Sequence, residues 1–97
     1  MIHVRKVHPE YFEALRNGSK TFEVRKEEPD APEFAVGDFL ALNEYDPGRH
    51  TIPGDNYTGR CLMFRITYVL RGFDGLVESY VCLGLNAWHL ELAFIEP

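Results

Sequence analysis

The alternation of apolar and polar positions predicts a strand followed by a helix at the start of the chain. Residues 2–7, IHVRKV, alternate in the manner of a half-buried strand. Residues 9–17, PEYFEALRN, carry Tyr11, Phe12 and Leu15 at helical spacing, so we expect a helix that turns these three residues toward the core. The Asn-Gly pair that follows is typical of a helix stop, because glycine readily adopts the left-handed conformation.

A short strand is predicted immediately after the helix, in KTFEVRK at residues 20–26. Phe22 and Val24 point to one face of this strand, and we expect them to be buried. The other face carries a hydroxyl and two charges, which belong to Thr21, Glu23 and Arg25. Lys20 stands at the first position of the strand, where we expect it to turn toward these polar residues.

Three later segments also alternate as strands do: residues 38–45, 57–72 and 79–86. In the longest of them we expect a bulge or bend at Gly59. The same segment has an inner row of large side chains, formed by Leu62, Phe64, Ile66, Tyr68 and Leu70. The tail at residues 87–95 alternates as a closing strand would, and a short helix stays open as the alternative.

Five or six strands and one early helix, at about residues 9–17, predict a mainly β, α+β fold. A doubly wound sheet needs a helix between most of its strands, and this sequence offers one helix only. A small, partly closed, mostly antiparallel β-barrel buries its strand edges and accommodates this order of elements. The 97 residues suffice for one hydrophobic core, so we expect a single domain over residues 1–97.

Charge is distributed unevenly along the chain. The net charge of −5 argues against a general nucleic-acid-binding surface. However, residues 1–26 hold six basic and three acidic side chains, a net charge of +3. Residues 27–97 hold four basic and twelve acidic ones, a net charge of −8. A local positive site on an acidic body suits a small anionic ligand better than a long duplex.

Several classes of protein are disfavoured by what the sequence lacks. No apolar run approaches the ~18 residues of a membrane span, so we expect no membrane partner. The first residues have no apolar signal core, and we expect a cytoplasmic protein. Cys61 and Cys82 fit reduced thiols better than a disulfide framework. The four histidines lack the spacing of a zinc site, and we expect neither a metal nor a cofactor.

The charged residues after the helix have the chemistry of a binding site. A guanidinium such as that of Arg25 forks two hydrogen bonds onto a phosphate or a base edge. The carboxylate of Glu23 accepts from the exocyclic amine of a base. Lys20 offers a phosphate ligand or, if desolvated beside Arg25, a base or nucleophile. The alternative is an ordinary exposed strand face with a Glu23–Arg25 ion pair, worth about 0–1 kcal/mol.

Three residues around the Pro/Gly-rich loop at 46–56 extend this candidate site. Tyr45 and Tyr57 flank the loop, and either is able to stack a base. Tyr45 is equally well interpreted as a half-buried strand residue. Arg60 follows Gly59, where the missing side chain lets a ligand approach the backbone. An arginine at a barrel mouth suits anion binding, and a simple barrel corner is the alternative.

The order and spacing of several segments are similar to those of the ASCH superfamily of PUA-like barrels. Its pattern G-x-K-x-x-E-x-R is formed here by Gly18, Lys20, Glu23 and Arg25. Val36-Gly37-Asp38 and Glu44-Tyr45-Asp46 follow at matching spacing. The other matching segments are HPEYFEAL, YTGR, ITYVLRG and GLVESYVCLGL. Within the superfamily, the chain resembles a short, functionally unassigned branch found in bacteria and phages.

The resemblance implies a β-barrel whose cleft presents the Lys, Glu and Arg of this pattern to RNA or to a nucleotide. We therefore predict a domain that binds RNA, a nucleotide or a modified nucleoside. The residues predicted to line its cleft are Lys20, Thr21, Glu23, Arg25, Tyr45 and Arg60.

Two other functions stay open. Some ASCH proteins are amidohydrolases that deacetylate a modified cytidine nucleoside, using a Lys, a Thr three residues on and a distant Glu. Here Lys20 matches the Lys, Glu23 stands in place of the Thr, and Glu78 is a candidate for the distant Glu. Lys20 and Glu23 are the catalytic residues under this hypothesis. The second alternative is a protein-interaction module, a homodimer included, that uses an edge strand or the apolar tail at Trp88, Leu90 and Phe94.

Overall fold

A computed structural model describes residues 1–49, 56–86 and 90–93 of the chain. The described residues form one helix and six strands, which are β1 (Ile2–Val7), α1 (Pro9–Arg16), β2 (Phe22–Lys26), β3 (Phe39–Tyr45), β4 (Tyr57–Leu70), β5 (Tyr80–Leu85) and β6 (Leu90–Ala93). Within these residues no helix is long and apolar enough to cross a membrane.

The six strands form one sheet in the order β1-β3-β4-β5-β2, and β6 pairs with β4. β1 and β3 are parallel, and the other pairs are antiparallel. The long β4 joins two halves, since its first part pairs with β3 and β6 and its last part with β5. The end strands β1 and β2 share no backbone ladder in the described residues, so the sheet is not closed. A mainly β fold with one early helix is confirmed.

The helix begins and ends close to where the sequence predicts. Pro9 takes the first helical position, and Gly18 follows the C-cap with φ +84°. Phe12 and Leu15 are buried as expected, but Tyr11 is 48% exposed, so its assignment to the core is wrong. Neighbouring helical residues are turned by about 100°. The buried stripe that contains Phe12 and Leu15 therefore leaves Tyr11 at its margin.

The inner row predicted for β4 is confirmed for its first half. Leu62, Phe64 and Ile66 are buried, whereas Tyr68 is 62% exposed, which contradicts the prediction. The pairing of β4 with β5 shifts between Ile66 and Tyr68, so one extra residue turns the following side chains over. Val69 packs against the core instead.

The irregularity predicted at Gly59 and the predicted closing strand are both present. The register between β3 and β4 shifts beside Gly59, whose φ of +89° strongly favours glycine. β6 pairs antiparallel with residues 60–63 of β4, which makes the tail a strand over its four described residues. Trp88 and Phe94 lie outside the described residues.

The two faces of β2 are reversed relative to the prediction. Glu23 is 4% exposed, whereas Phe22 and Val24, which we expected to be buried, are 45% and 46% exposed. The cause is the partner strand, because Glu23 lies opposite the core residue Leu83 of β5. Residues opposite each other in a ladder share a face, so Glu23 and Arg25 lie on the inner face of the sheet. Since β2 ends the sheet, this face opens toward β1 and α1.

Candidate functional site

A buried carboxylate holds together the triad of Lys20, Glu23 and Arg25. One oxygen of Glu23 accepts from Lys20 Nζ, and the other accepts from Arg25 Nε at 2.9 Å. The two cationic side chains are themselves only about one-fifth exposed. The Glu23–Arg25 ion pair is therefore present, but it is not the exposed strand face of the alternative interpretation. A buried charge persists only when it is paired and hydrogen-bonded in this way.

The guanidinium of Arg25 also links the two end strands of the open sheet. Its Nη2 donates to the backbone carbonyl of Lys6 in β1, 2.8 Å away. Side-chain hydrogen bonding thus spans the gap that backbone pairing leaves between β1 and β2. The hydrogen bonds to Glu23 and to the carbonyl of Lys6 hold the guanidinium of Arg25 in one geometry.

A pocket of about 450 Å³ lies against this seam. Its lining consists of Lys6, Val7, His8, Tyr11, Lys20, Phe22, Glu23, Val24 and Arg25. The volume falls within the ~300–1,000 Å³ usual for small-molecule sites. Three lysine or arginine residues and one carboxylate line it, so its local charge is positive on a chain whose net charge is −5.

Two half-exposed aromatic rings flank the amine of Lys20, and we call Tyr11 and Phe22 the aromatic rim. Lys20 Nζ lies 5.2 Å from the centroid of Tyr11 and 5.3 Å from that of Phe22. Sequence reasoning missed both rings because it assigned them to the core. The sequence did contain a signal for their role. Phe22 lies between Lys20 and Glu23 in the chain, and Tyr11 lies in the helix that leads into the triad.

The triad keeps hydrogen-bond donors in reserve. Lys20 has three N–H donors and uses one of them on Glu23. Arg25 uses Nε and Nη2, and its Nη1 donates to none of the described residues. These donors suit a phosphate oxygen or a carbonyl oxygen of a base.

Arg60 lies outside this pocket and is engaged elsewhere. It donates to both oxygens of Glu44, at 3.0 and 3.1 Å, and also to Glu13 of the helix. Hydrogen bonding to Glu44, and then to Glu13, raises the pKa of Arg60. The guanidinium carbon lies 4.4 Å from the ring centroid of Phe12. Arg60 therefore clamps α1 onto β3 and β4, and it lines a separate cavity of about 260 Å³.

The remaining predicted residues, Thr21 and Tyr45, do not line the pocket of the triad. Thr21 is exposed and lines neither cavity, and its carbonyl accepts from the amide of Leu85. Tyr45 also lines neither cavity, and its ring contacts Tyr57 and the amine of Lys6. The structure thus brings Lys20, Glu23 and Arg25 together and leaves the other three predicted residues outside their pocket.

Neither Glu78 nor Cys61 lines the pocket of the triad. Glu78, the candidate distant Glu, lines a third cavity, which the β4–β5 loop forms together with Tyr80 at the start of β5. Burial raises the pKa of the Cys61 thiol, which lowers its thiolate fraction and its reactivity. Among residues 1–49, 56–86 and 90–93, no three His, Cys, Asp or Glu side chains are grouped to hold a metal ion.

Fold and site together define a small, mainly antiparallel α+β domain with a positively charged pocket at the open side of its sheet. A family model described as "Domain of unknown function (DUF3850)" matches residues 2–85, and the chain belongs to this family. The match includes every residue that lines the pocket and ends before β6. Comparison with curated proteins yields no match.

Proposed function

We propose that this chain is an ASCH-type, PUA-like domain that binds RNA, or a nucleotide unit of it, in the pocket of the triad. The observation that carries the proposal is the convergence of Lys20, Glu23 and Arg25 on one cavity of about 450 Å³. These are the residues that the resemblance to the ASCH superfamily assigns to a ligand.

The chemistry of the pocket supports a nucleotide over other small anions. A nucleotide combines a flat aromatic base with a phosphate, and the pocket combines the aromatic rim with cationic donors. Base–aromatic stacking contributes about 1–3 kcal/mol and tolerates any base, whereas arginine and lysine bind the phosphate. A simple inorganic anion would leave the rim unused.

Titration of purified protein with the four ribonucleoside monophosphates and with short single-stranded RNAs tests the proposal. We expect the Lys20→Ala, Arg25→Ala double variant to lose binding by at least about tenfold, since it removes two charge-assisted contacts. The matched control is Lys26→Ala, Arg65→Ala, which removes two exposed cations outside the pocket lining.

The double variant leaves the buried Glu23 without either cationic partner, so folding of each variant is checked by circular dichroism. Tyr11→Ala leaves the triad intact and tests the same pocket through its exposed ring. Absence of binding to every ligand, or wild-type affinity in the double variant, would defeat the proposal.

An amidohydrolase acting on an N-acylated nucleoside is the second candidate, because Lys20 and Glu23 are in contact within the pocket. However, both oxygens of Glu23 already accept hydrogen bonds, one from Lys20 and one from Arg25, which leaves neither oxygen of this carboxylate aimed at a substrate. The geometry therefore favours binding. Release of acetate from N4-acetylcytidine at micromolar enzyme, abolished by Lys20→Met, would reverse this preference.

Two further expectations accompany the proposal. Cytoplasmic location is supported by two free cysteines, Cys61 and Cys82.

A homodimer is supported by exposed Ile2, Val4 and Leu90, which share the outer face of β1, β3, β4 and β6. Sedimentation equilibrium that shows only monomer at high micromolar concentration would remove the dimer.

A further inference from the structure

A second aromatic surface, the tyrosine pair of Tyr45 and Tyr57, lies at the amine of Lys6, and Tyr57 also lines the cavity of Arg60. The two rings meet edge-on, with centroids 5.1 Å apart and planes at 73°. Tyr57 is 49% exposed, so a large part of its ring is open to solvent. Tyr45 lies at the end of β3 and Tyr57 at the start of β4, which places the pair at one end of the sheet.

Lys6 connects the tyrosine pair with the pocket. It lines the pocket, and its carbonyl accepts from Arg25 of the triad. Its amine lies 4.4 Å from the ring centroid of Tyr45. Lys6 therefore borders the pocket that carries the aromatic rim and places its amine against the tyrosine pair.

The order aromatic, cation, aromatic corresponds to the order base, phosphate, base in a single strand of nucleic acid. Proteins that bind single strands combine stacking platforms with cations that follow the backbone. A duplex does not fit this arrangement, because its bases are stacked on each other and do not offer their faces. A mononucleotide would occupy the pocket and leave the exposed part of the Tyr57 ring without a stacked base.

We propose that the ligand is a single strand of at least two nucleotides, with one base in the pocket and its neighbour stacked on Tyr57. The linking phosphate lies beside Lys6. This inference rests on the proposed function and adds to it a second base position and a minimum length. The pocket of the triad binds the first nucleotide, and Tyr57 supplies the additional affinity of the second.

Calorimetric titration with UMP and with the trinucleotide UpUpU, under identical buffer, tests the second position. We expect the wild type to bind UpUpU on the order of tenfold more tightly than UMP, from the stacking of one further base. Tyr57→Ala should abolish this gain and leave the affinity for UMP unchanged. Tyr57→Phe keeps the ring and should retain the gain.

Tyr68→Ala is the matched control, because Tyr68 is also an exposed tyrosine of β4 but lies near the opposite end of that strand. It should leave both affinities unchanged. Thermal unfolding of each variant shows whether the fold is retained, and Tyr57→Leu, which also removes the aromatic ring, tests the position if Tyr57→Ala is unstable.

The outcomes separate this inference from the proposed function. Equal affinity for UMP and UpUpU, or a gain that survives Tyr57→Ala, overturns the second base position while binding in the pocket stands. Loss of UMP binding in folded Tyr57→Ala also overturns it, since Tyr57 would then belong to the first position. Absence of binding to both ligands in the wild type overturns the proposed function and this inference together.

Discussion

Glu23 is a buried carboxylate whose two oxygens each face a cation, and this single residue positions both cationic side chains of the triad. In a low-dielectric setting the removal of one charge leaves its partners unpaired, which costs more than the pair contributed. The structure therefore assigns Glu23 a role as anchor of Lys20 and Arg25.

Glu23→Gln should lower the free energy of unfolding by about 2–4 kcal/mol. This is below the ~3–5 kcal/mol of a fully buried pair, because Lys20 and Arg25 retain some contact with water. Urea unfolding monitored by circular dichroism measures the change. Glu28→Gln, at an exposed loop position nearby, is the control and should stay within about 0.5 kcal/mol of wild type. Equal stability of the two variants would contradict the anchoring role.

At the scale of elements, local pattern predicted which strands form, and partner strands decided which faces are buried. The helix, the irregularity at Gly59 and the strand at the tail follow from nearby residues, and the structure bears them out. The faces of β2 depend on its pairing with β5, which alternation within β2 cannot reveal. The exchange of the buried and exposed faces of β4 after Ile66 likewise arises from a register shift against β5. Arg60 follows a glycine, which locally favours an arginine accessible to a ligand. Its guanidinium instead binds Glu44, sixteen residues away in the chain.

A further ion pair joins the loop after β2 to Arg71, the residue that follows β4. Arg71 donates to both oxygens of Glu27, at 3.0 and 2.7 Å, and to the carbonyl of Phe34. Hydrogen bonding from Arg71 holds the pKa of Glu27 below its ordinary value of 4.5. The pair therefore adds stability that is present above the unfolded-state pKa and is lost as pH falls through the folded-state pKa.

Arg71→Gln should reduce the dependence of stability on acid. We expect the variant to be less stable than wild type at pH 7, by under about 1 kcal/mol because Arg71 is half-exposed. Between about pH 5 and pH 3 it should lose less stability than wild type, since the largest cause of the lowered Glu27 pKa is removed while the hydrogen bond from the Phe34 amide remains. Urea unfolding across this range gives the free energy of unfolding of wild type and variant as a function of pH. Arg65→Gln, at an exposed arginine, is the control. Identical acid slopes in wild type and Arg71→Gln would refute the linkage.

At the scale of the whole molecule, a positive pocket is set in an acidic chain. Three lysine or arginine residues line the pocket, whereas the chain from residue 27 onward carries a net charge of −8. Each neutralised phosphate releases counterions, so the salt dependence of binding counts the phosphates that the protein contacts. A confined site and a broad basic surface therefore differ in how the salt dependence of the affinity changes with the length of the strand.

We expect the logarithm of the affinity for UpUpU to fall with the logarithm of salt concentration at a slope of about −1 to −1.5, from two phosphate contacts at about −0.7 each. A twelve-nucleotide uridine strand should give nearly the same slope, because a confined pocket contacts no further phosphates. Lys20→Ala should reduce the slope by about 0.7, and Lys26→Ala should leave it unchanged. Fluorescence anisotropy with labelled strands at several salt concentrations provides these slopes. A slope that steepens to about −4 or beyond for the longer strand would mean that binding extends over a surface, which the confined pocket cannot explain.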